Sequence, residues 1–362
     1  MNISIDQIKS GRGRKKTIFI RKLISINLWL SLLLLAPQLS RAGTALGDLA
    51  ASMSPGTFAQ LTAIGGDPSY WVTVTGSGSP VSSYANKAVW DPIHKIFYFL
   101  GAPHYDPWKF CIYTDSTNTW TTGPLPIQSD AVGHGYEHNA IDPATGNVYH
   151  KPYNYRNIFK YSYGGNSWIL VTSFPETWSN RITGGLTYFP EMSALIWTQG
   201  SSNGTHGNGG VYKYVPATNR WAAIATNLNF GEYHSHAEYD PINKVIVFGA
   251  GNGNERKWYK LNSSGKITAL QDSLVNAGIN RTNFTVDPIR GKFILTTSDQ
   301  DMYELDATGS GTWTKLGIST PIVFVKDHWN NRAVVAPVST YGVVMYATHR
   351  YGIYLYRHSP QP

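Results

Sequence analysis

The sequence predicts an all-β fold, a single β-propeller of six four-stranded blades, with seven as the alternative count. Three observations carry this expectation: the composition, a repeat near 49 residues, and a likeness between the two ends of the repeat region. Of 362 residues, 14% are charged and 13% aromatic, with 35 Gly and 20 Pro. Ordinary soluble domains carry ~25% charged residues. With so many aromatic, Gly and Pro residues and so few charged ones, strand and turn formers outweigh the residues that build helices. The length would allow two domains, but large all-β folds often run this long as one.

The repeat sets the architecture. An apolar run, a turn containing Pro and a second apolar run recur along the chain. The first unit reads Ala88-Val89-Trp90-Asp91-Pro92 before Ile96-Phe97-Tyr98-Phe99-Leu100. Equivalent prolines follow at Pro143, Pro190, Pro241, Pro288 and Pro337, at spacings of 51, 47, 51, 47 and 49 residues. A third strand comes next, as in Val211-Tyr212-Lys213-Tyr214, and a fourth often carries Trp, as at Trp120, Trp168, Trp221 and Trp313. Four strands per ~40–50 residues is the pattern of a propeller blade. The sixth unit stops at its third strand, Ile353-Tyr354-Leu355-Tyr356. The missing strand is expected from Gly56-Thr57-Phe58-Ala59-Gln60-Leu61, which resembles Gly311-Thr312-Trp313-Thr314-Lys315-Leu316. Such pairing closes the ring and removes its open edges. A seventh blade would need another repeat, and the 22 residues between Leu61 and Tyr84 are too few.

Residues 1–45 read as a signal peptide and residues 46–362 as the propeller domain. Basic residues from Arg12 to Lys22 precede an apolar run from Leu23 to Pro37, and small residues follow around Ala42 and Ala45. This is the layout of a secretory leader, with cleavage after Ala42 or Ala45. The apolar run has 15 residues, short of the ~20 that span a bilayer. The expected location is secreted or periplasmic, with no membrane contact after cleavage. The formal charge of +8 belongs to the leader: residues 1–42 hold eight of the 30 basic residues and one of the 22 acidic ones, leaving 22 against 21. A uniformly basic surface for nucleic acid thus loses most of its support, and no nucleic-acid partner is expected. Cys111 is the single cysteine, set in the apolar strand pattern Lys109-Phe110-Cys111-Ile112-Tyr113, and reads as a buried, inert thiol.

In a propeller the first strand of each blade lines the central channel. Counting back five from each turn proline gives Lys87, His138, Gly185, His236, Asn283 and Arg332. Seven back gives Ala85, Tyr136, Thr183, His234, Arg281 and Asn330. Nine back gives Ser83, His134, Arg181, Glu232, Ile279 and His328. A period of two puts these positions on one face. Loops joining the second and third strands lie at the same end and are polar, with His104, Tyr153-Asn154-Tyr155-Arg156, His206, Asn252 to Arg256, and His349-Arg350-Tyr351. One rim therefore gathers His, Arg and Tyr, as loops on a rigid scaffold commonly do at functional sites. The opposite rim of short Asp-Pro turns reads as structural.

The Gly-rich turns and Trp-bearing outer strands resemble Kelch-type propeller repeats. The pairing of His134-Gly135-Tyr136-Glu137-His138-Asn139 with Tyr233-His234-Ser235-His236 is similar to secreted propeller polysaccharide lyases of the ulvan-lyase type. That resemblance implies action on acidic polysaccharides, with His and Tyr in catalysis and Arg near the uronate. The residue inventory suits this chemistry on its own account. β-Elimination removes a proton beside a carboxylate, so Arg or Asn must hold the carboxylate and spread its charge. His or Tyr must take the proton, and Tyr or His must give one to the leaving oxygen. The expected roles are His138 or His236 as base and Tyr136 or Tyr233 as acid, with His134 and His234 beside them. Arg181 or Arg281 takes the carboxylate, and Lys87, Asn283, Arg332, Tyr155 and His104 complete the substrate face. Tyr153, Tyr155 and Tyr351 are placed to stack on sugar rings. No cofactor and no metal is expected, and the partner is an acidic polysaccharide or oligosaccharide bound by a monomer.

Other chemistries fit less well. A glycosidase usually uses two paired carboxylates, and only Glu232 and Glu137 lie near the aligned face, with Glu137 expected to point away. A copper site on Tyr233-His234 would need a Cys–Tyr crosslink, and Cys111 falls on an outer strand. His134 and His138 stand ~13 Å apart along a strand, far for two ligands of one zinc ion. The competing reading is a non-catalytic glycan-binding or protein-interaction propeller using the same rim.

Overall fold

The computed structural model describes residues 43–63, 80–103, 108–126, 133–165, 167–175, 184–200, 209–253, 255–326, 330–331, 333–348 and 352–358. The expected leader up to Ala42 lies outside the described residues, as do His104, Arg181 and Arg332. Helix α1 (Ala45–Ser52) is followed by strand β1 (Thr57–Leu61). Blade 1 comprises β2 (Val89–Asp91), β3 (Ile96–Gly101), β4 (Lys109–Thr114) and β5 (Thr119–Thr122). Blade 2 is β6 (Asn139–Asp142), β7 (Asn147–His150), β8 (Asn157–Tyr161) and β9 (Ile169–Ser173). Blade 3 is β10 (Gly185–Phe189), β11 (Ala194–Gln199), β12 (Gly209–Val215) and β13 (Arg220–Leu228). Blade 4 is β14 (His236–Asp240), β15 (Val245–Gly249), β16 (Trp258–Asn262) and β17 (Ile267–Ala269). Blade 5 is β18 (Thr282–Val286), β19 (Phe293–Thr297), β20 (Asp301–Asp306) and β21 (Thr312–Ser319). A short pair, β22 (Val325–Lys326) and β23 (Asn330–Asn331), precedes blade 6, formed by β24 (Ala333–Val338), β25 (Val343–Thr348) and β26 (Gly352–Arg357).

Each blade is an antiparallel meander, and the six form a propeller ring. Strand β1 supplies the fourth strand of blade 6, pairing antiparallel with β26 from Thr57↔Arg357 to Leu61↔Ile353. The ring closes as the sequence predicts. Thr44 caps α1 by accepting from the Gly47 amide at 3.0 Å, and Leu46 and Ala50 bury the helix against the core of the closing blade. Arg357 of β26 donates to the Ala50 carbonyl at the end of that helix.

The Asp-Pro turns have a local cause. Asp91, Asp142, Asp240 and Asp287 each accept, through Oδ1, the backbone N–H two residues on, at 2.8–3.0 Å. A carboxylate in this position mimics a turn of backbone, and the following Pro presets its own φ. Apolar side chains from facing sheets fill the spaces between blades, as with Phe97, Phe99, Met345 and Leu355 between blades 1 and 6. The outer-strand tryptophans add links across these seams. The indole N–H of Trp168 donates to Pro124 O, Trp221 to Thr172 Oγ1 and Trp313 to Gln271 O, each on the preceding blade.

The central channel lined by the first strands is filled. Adjacent inner strands approach closely enough to share parallel bridges, Lys87↔Val335 and Glu137↔Gly185 among them. A Cβ at Gly185 would stand 2.5 Å from the Ala237 Cβ, so glycine is required there. Buried polar side chains fill what space remains. Asn86 Nδ2 donates to Glu137 Oε1 at 2.6 Å and to Phe284 O at 3.0 Å, while Asn86 Oδ1 accepts from Asn283 Nδ2 and Phe284 N. His236 lies 2.7 Å from Glu137 Oε1 through Nδ1 and 3.0 Å from Thr282 Oγ1 through Nε2. Buried polar groups of this kind are stable only when bonded to one another.

Candidate functional site

The mouth at which the inner strands begin carries a cluster of phenol and imidazole rings. Tyr84 leads into β2, His134 and Tyr136 into β6, and Tyr233 and His234 into β14; Tyr153 comes from the loop after β7. The His134 ring centroid is 4.3 Å from Tyr84, 4.8 Å from Tyr136 and 4.9 Å from Tyr153. His234 is 5.4 Å from Tyr136, 6.2 Å from Tyr233 and 6.3 Å from Tyr84. Three blades thus contribute to one contiguous group of six rings.

The backbone beneath this cluster is strained. Tyr84, Tyr136 and His234 have φ of +54°, +37° and +62°. Bulky side chains rarely adopt that region, at a cost of roughly 1–3 kcal/mol each, and such residues concentrate at functional sites. The Asn252 side chain, the third residue of the loop after β15, holds His234: Nδ1 is 3.1 Å from Asn252 Oδ1. With the Asn252 oxygen as acceptor, Nδ1 carries the proton and the lone pair resides on Nε2. Burial pushes the His234 pKa down to about 4; the Asn252 bond opposes this and nearby His236 adds to it. His234 is therefore neutral at pH 7. Burial, with the Tyr153, Tyr233 and Tyr84 phenols nearby, holds the Tyr136 hydroxyl well above the usual phenol range, so it keeps its proton. His134, Tyr136 and His234 present only 4–5% of their surface, whereas Tyr84, Tyr153 and Tyr233 are partly exposed and form the accessible wall.

Several residues expected on this face lie elsewhere. His138 and His236 are both 0% exposed. His138 sits between blades 2 and 3, with Trp197 at 5.4 Å and His150 at 6.4 Å, while His236 belongs to the axial network. Glu137, expected to point away, is instead the residue on the axis. The reason is local. Regular alternation begins only at Asn139, where β6 starts, and the positive φ at Tyr136 turns the chain just before it. Lys87 crosses toward blades 3 and 4, donating to Leu186 O, Thr187 Oγ1 and Ala237 O. Asn283 is buried against Asn86 and Ala333 O. Tyr155 packs against the core between blades 1 and 2. Arg281 is half exposed, and its ion pair among the described residues is with Glu255 at 3.5 Å. Cys111 is fully buried in β4, and burial pushes its thiol pKa up to about 12. Among the described residues, no group of three or more His, Cys, Asp or Glu side chains is arranged to hold a metal ion.

Tyr84 escaped the sequence alignment because it falls eight, not seven, residues before its turn proline. Superposing the segments on their aromatic residue would have matched Tyr84-Ala85-Asn86 to Tyr136-Glu137-His138.

No protein-family model matches the sequence, and no curated protein sequence matches it. A chain in the crystal structure of a nidogen/laminin complex aligns with 12% identity over 66% of this chain and 81% of its own, with a TM-score of 0.47. A structural genomics protein of unknown function from Bacteroides thetaiotaomicron VPI-5482 aligns with 15% identity over 83% of this chain and 76% of its own, with a TM-score of 0.52. The second likeness is one of fold.

Proposed function

We propose that this mouth is the active site of an exported polysaccharide lyase that cleaves uronic-acid-containing glycans by β-elimination. The observation that carries the reading is a neutral imidazole, His234, oriented by Asn252 and set 5.4 Å from the protonated phenol of Tyr136. A base that is unprotonated at neutral pH beside an acid that still holds its proton is the pair the reaction needs. His234 or His134 takes the proton next to the uronate carboxylate, the ring double bond forms, the glycosidic C–O bond breaks, and Tyr136 or Tyr233 protonates the leaving oxygen. Tyr84 and Tyr153 offer faces for sugar rings. Arg181 is assigned to the carboxylate from its place in the sequence alone. The resemblance of the two His–Tyr segments to ulvan-type lyases supports the same assignment, and the leader sequence supports export. His138 and His236 are reassigned to supporting the rings from below, because neither reaches the mouth.

The test is absorbance at the unsaturated-uronate band after mixing the protein with ulvan, alginate or pectin. Activity on one of these substrates is expected, with His234→Ala and Tyr136→Phe each losing roughly 100-fold or more, as for removal of a general acid or base. Binding to an acidic glycan with no new absorbance on any of the three would replace the lyase with a glycan-binding module.

A further inference from the structure

The proline turns at the opposite mouth surround a cavity of about 120 Å³, rimmed by Pro92, Pro143, Pro241, Pro288 and Pro337. Val89, Trp90 and Ile141 line its walls, and Lys87, Thr187 and Glu238 form the floor. The Lys87 ammonium has three oxygen partners, Leu186 O at 3.2 Å, Thr187 Oγ1 at 2.9 Å and Ala237 O at 2.7 Å, so its three donors are used. Glu238 Oε1 accepts from the Tyr239 amide at 3.1 Å and lies 3.8 Å from Lys87 Nζ. No described residue hydrogen-bonds Glu238 Oε2. The Thr187 hydroxyl donates to Ala237 O, so no donor is left on the floor and its open group is the Glu238 Oε2 acceptor, at the base of an apolar funnel.

We propose that this mouth binds a small uncharged ring bearing one hydroxyl, which donates to Glu238 while its apolar body fills the proline-rimmed cavity. Each part of that description follows from the floor and walls. A cavity of ~150 Å³ holds a benzene-sized molecule, and this one is slightly smaller. An anion would meet Glu238 and find no spare donor on Lys87. A cation would gain no net attraction from a floor on which the Lys87 ammonium offsets the Glu238 carboxylate. A ring without a donor would leave Oε2 desolvated beneath it, which is unfavourable. Burial raises the Glu238 carboxyl pKa to about 7, opposed by Lys87 and the Tyr239 amide and reinforced by Glu137. The ionised carboxylate is the better acceptor. Binding is accordingly expected to tighten from pH 6 to pH 8.

The probe is phenol, with anisole, benzylamine and benzoate as comparisons, read by saturation-transfer NMR on the full chain. Phenol is expected to bind with Kd of about 1 mM, within the range for so few atoms, and anisole at least ~10-fold more weakly, the worth of one hydrogen bond. Ser339→Trp, a change at an exposed position on the rim, is expected to block binding while leaving the circular dichroism unchanged. Equal binding of phenol and anisole overturns the proposal. So does phenol binding that survives Ser339→Trp, or no saturation transfer at about 10 mM phenol, a concentration well above the expected Kd.

Discussion

The axial network is directly testable through Glu137→Ala. Glu137 is 1% exposed, and its Oε1 is shared by Asn86 Nδ2 at 2.6 Å and His236 Nδ1 at 2.7 Å. Truncation leaves both nitrogens buried against a cavity. A buried polar group left unsatisfied costs roughly 1–3 kcal/mol, so two give about 2–6 kcal/mol before any cavity contribution. A central value of about 4 kcal/mol corresponds to a fall in Tm of roughly 10 °C, at ~2–4 °C per kcal/mol for a chain somewhat larger than 150–250 residues. Glu137→Gln keeps an oxygen acceptor at nearly the same place and loses only charge assistance, so it is expected to cost about 1 kcal/mol. Urea unfolding followed by tryptophan fluorescence measures both, with unchanged m-values indicating that stability alone has moved. The reasoning fails if Glu137→Ala lies within ~0.5 kcal/mol of wild type, or if Glu137→Gln is as damaging as Glu137→Ala.

Three further outcomes are expected. Gly291 has φ of +65° and a Cβ there would lie 2.6 Å from the Asp240 carboxylate, so Gly291→Ala should lower stability by about 1–3 kcal/mol in urea titration. Acid sensitivity should begin early. His150 and His234 are held down to about 3 and about 4 by burial, so the unfolded chain binds more protons than the folded one below pH 6.5. Stability therefore falls as pH drops from about 6.5 toward 4. Glu238, raised to about 7, works in the opposite direction between pH 4.5 and 7, and Glu238→Gln should steepen the acid-side loss. Finally, if the proposed leader is removed, N-terminal sequencing of the mature chain should give Gly43 and not Leu46. Cleavage after Ala45 would remove the Thr44 cap of α1, worth about 1 kcal/mol.

The fold was legible because its signals are local. A strand period, an Asp-Pro turn and an outer-strand Trp each act within a few residues, and six repetitions make the pattern unmistakable. The closing strand was readable for the same reason, as Gly56 to Leu61 carries the composition of a fourth strand without a blade of its own. What was not legible was the direction of side chains just ahead of the inner strands. Counting by twos assumes extended backbone, and Tyr84, Tyr136 and His234 break that assumption with positive φ. Hence Glu137 and His138 exchanged their expected places, and Tyr84 went unnoticed. The proline-rimmed cavity was hidden for another reason. It is a concave surface assembled from single residues of several turns, each of which is accounted for by its own turn.

Strain at the mouth and order on the axis are linked through residues one or two positions apart. Tyr136 faces the His–Tyr cluster and Glu137 faces the axis; His234 faces the cluster and His236 the axis. The Glu137–His236 contact therefore pins the two strained segments to each other from below. If that contact holds His234 in its buried pose, Glu137→Ala should let the ring relax toward solvent, and its pKa should rise from about 4 toward the ordinary 6.5. Electrostatics alone predicts the opposite sign. Deleting a nearby carboxylate disfavours the imidazolium and would drive the pKa lower still. NMR titration of the His234 ring in Glu137→Ala separates the two. An upward shift assigns the axial network the task of shaping the mouth, and a downward or absent shift restricts it to stability.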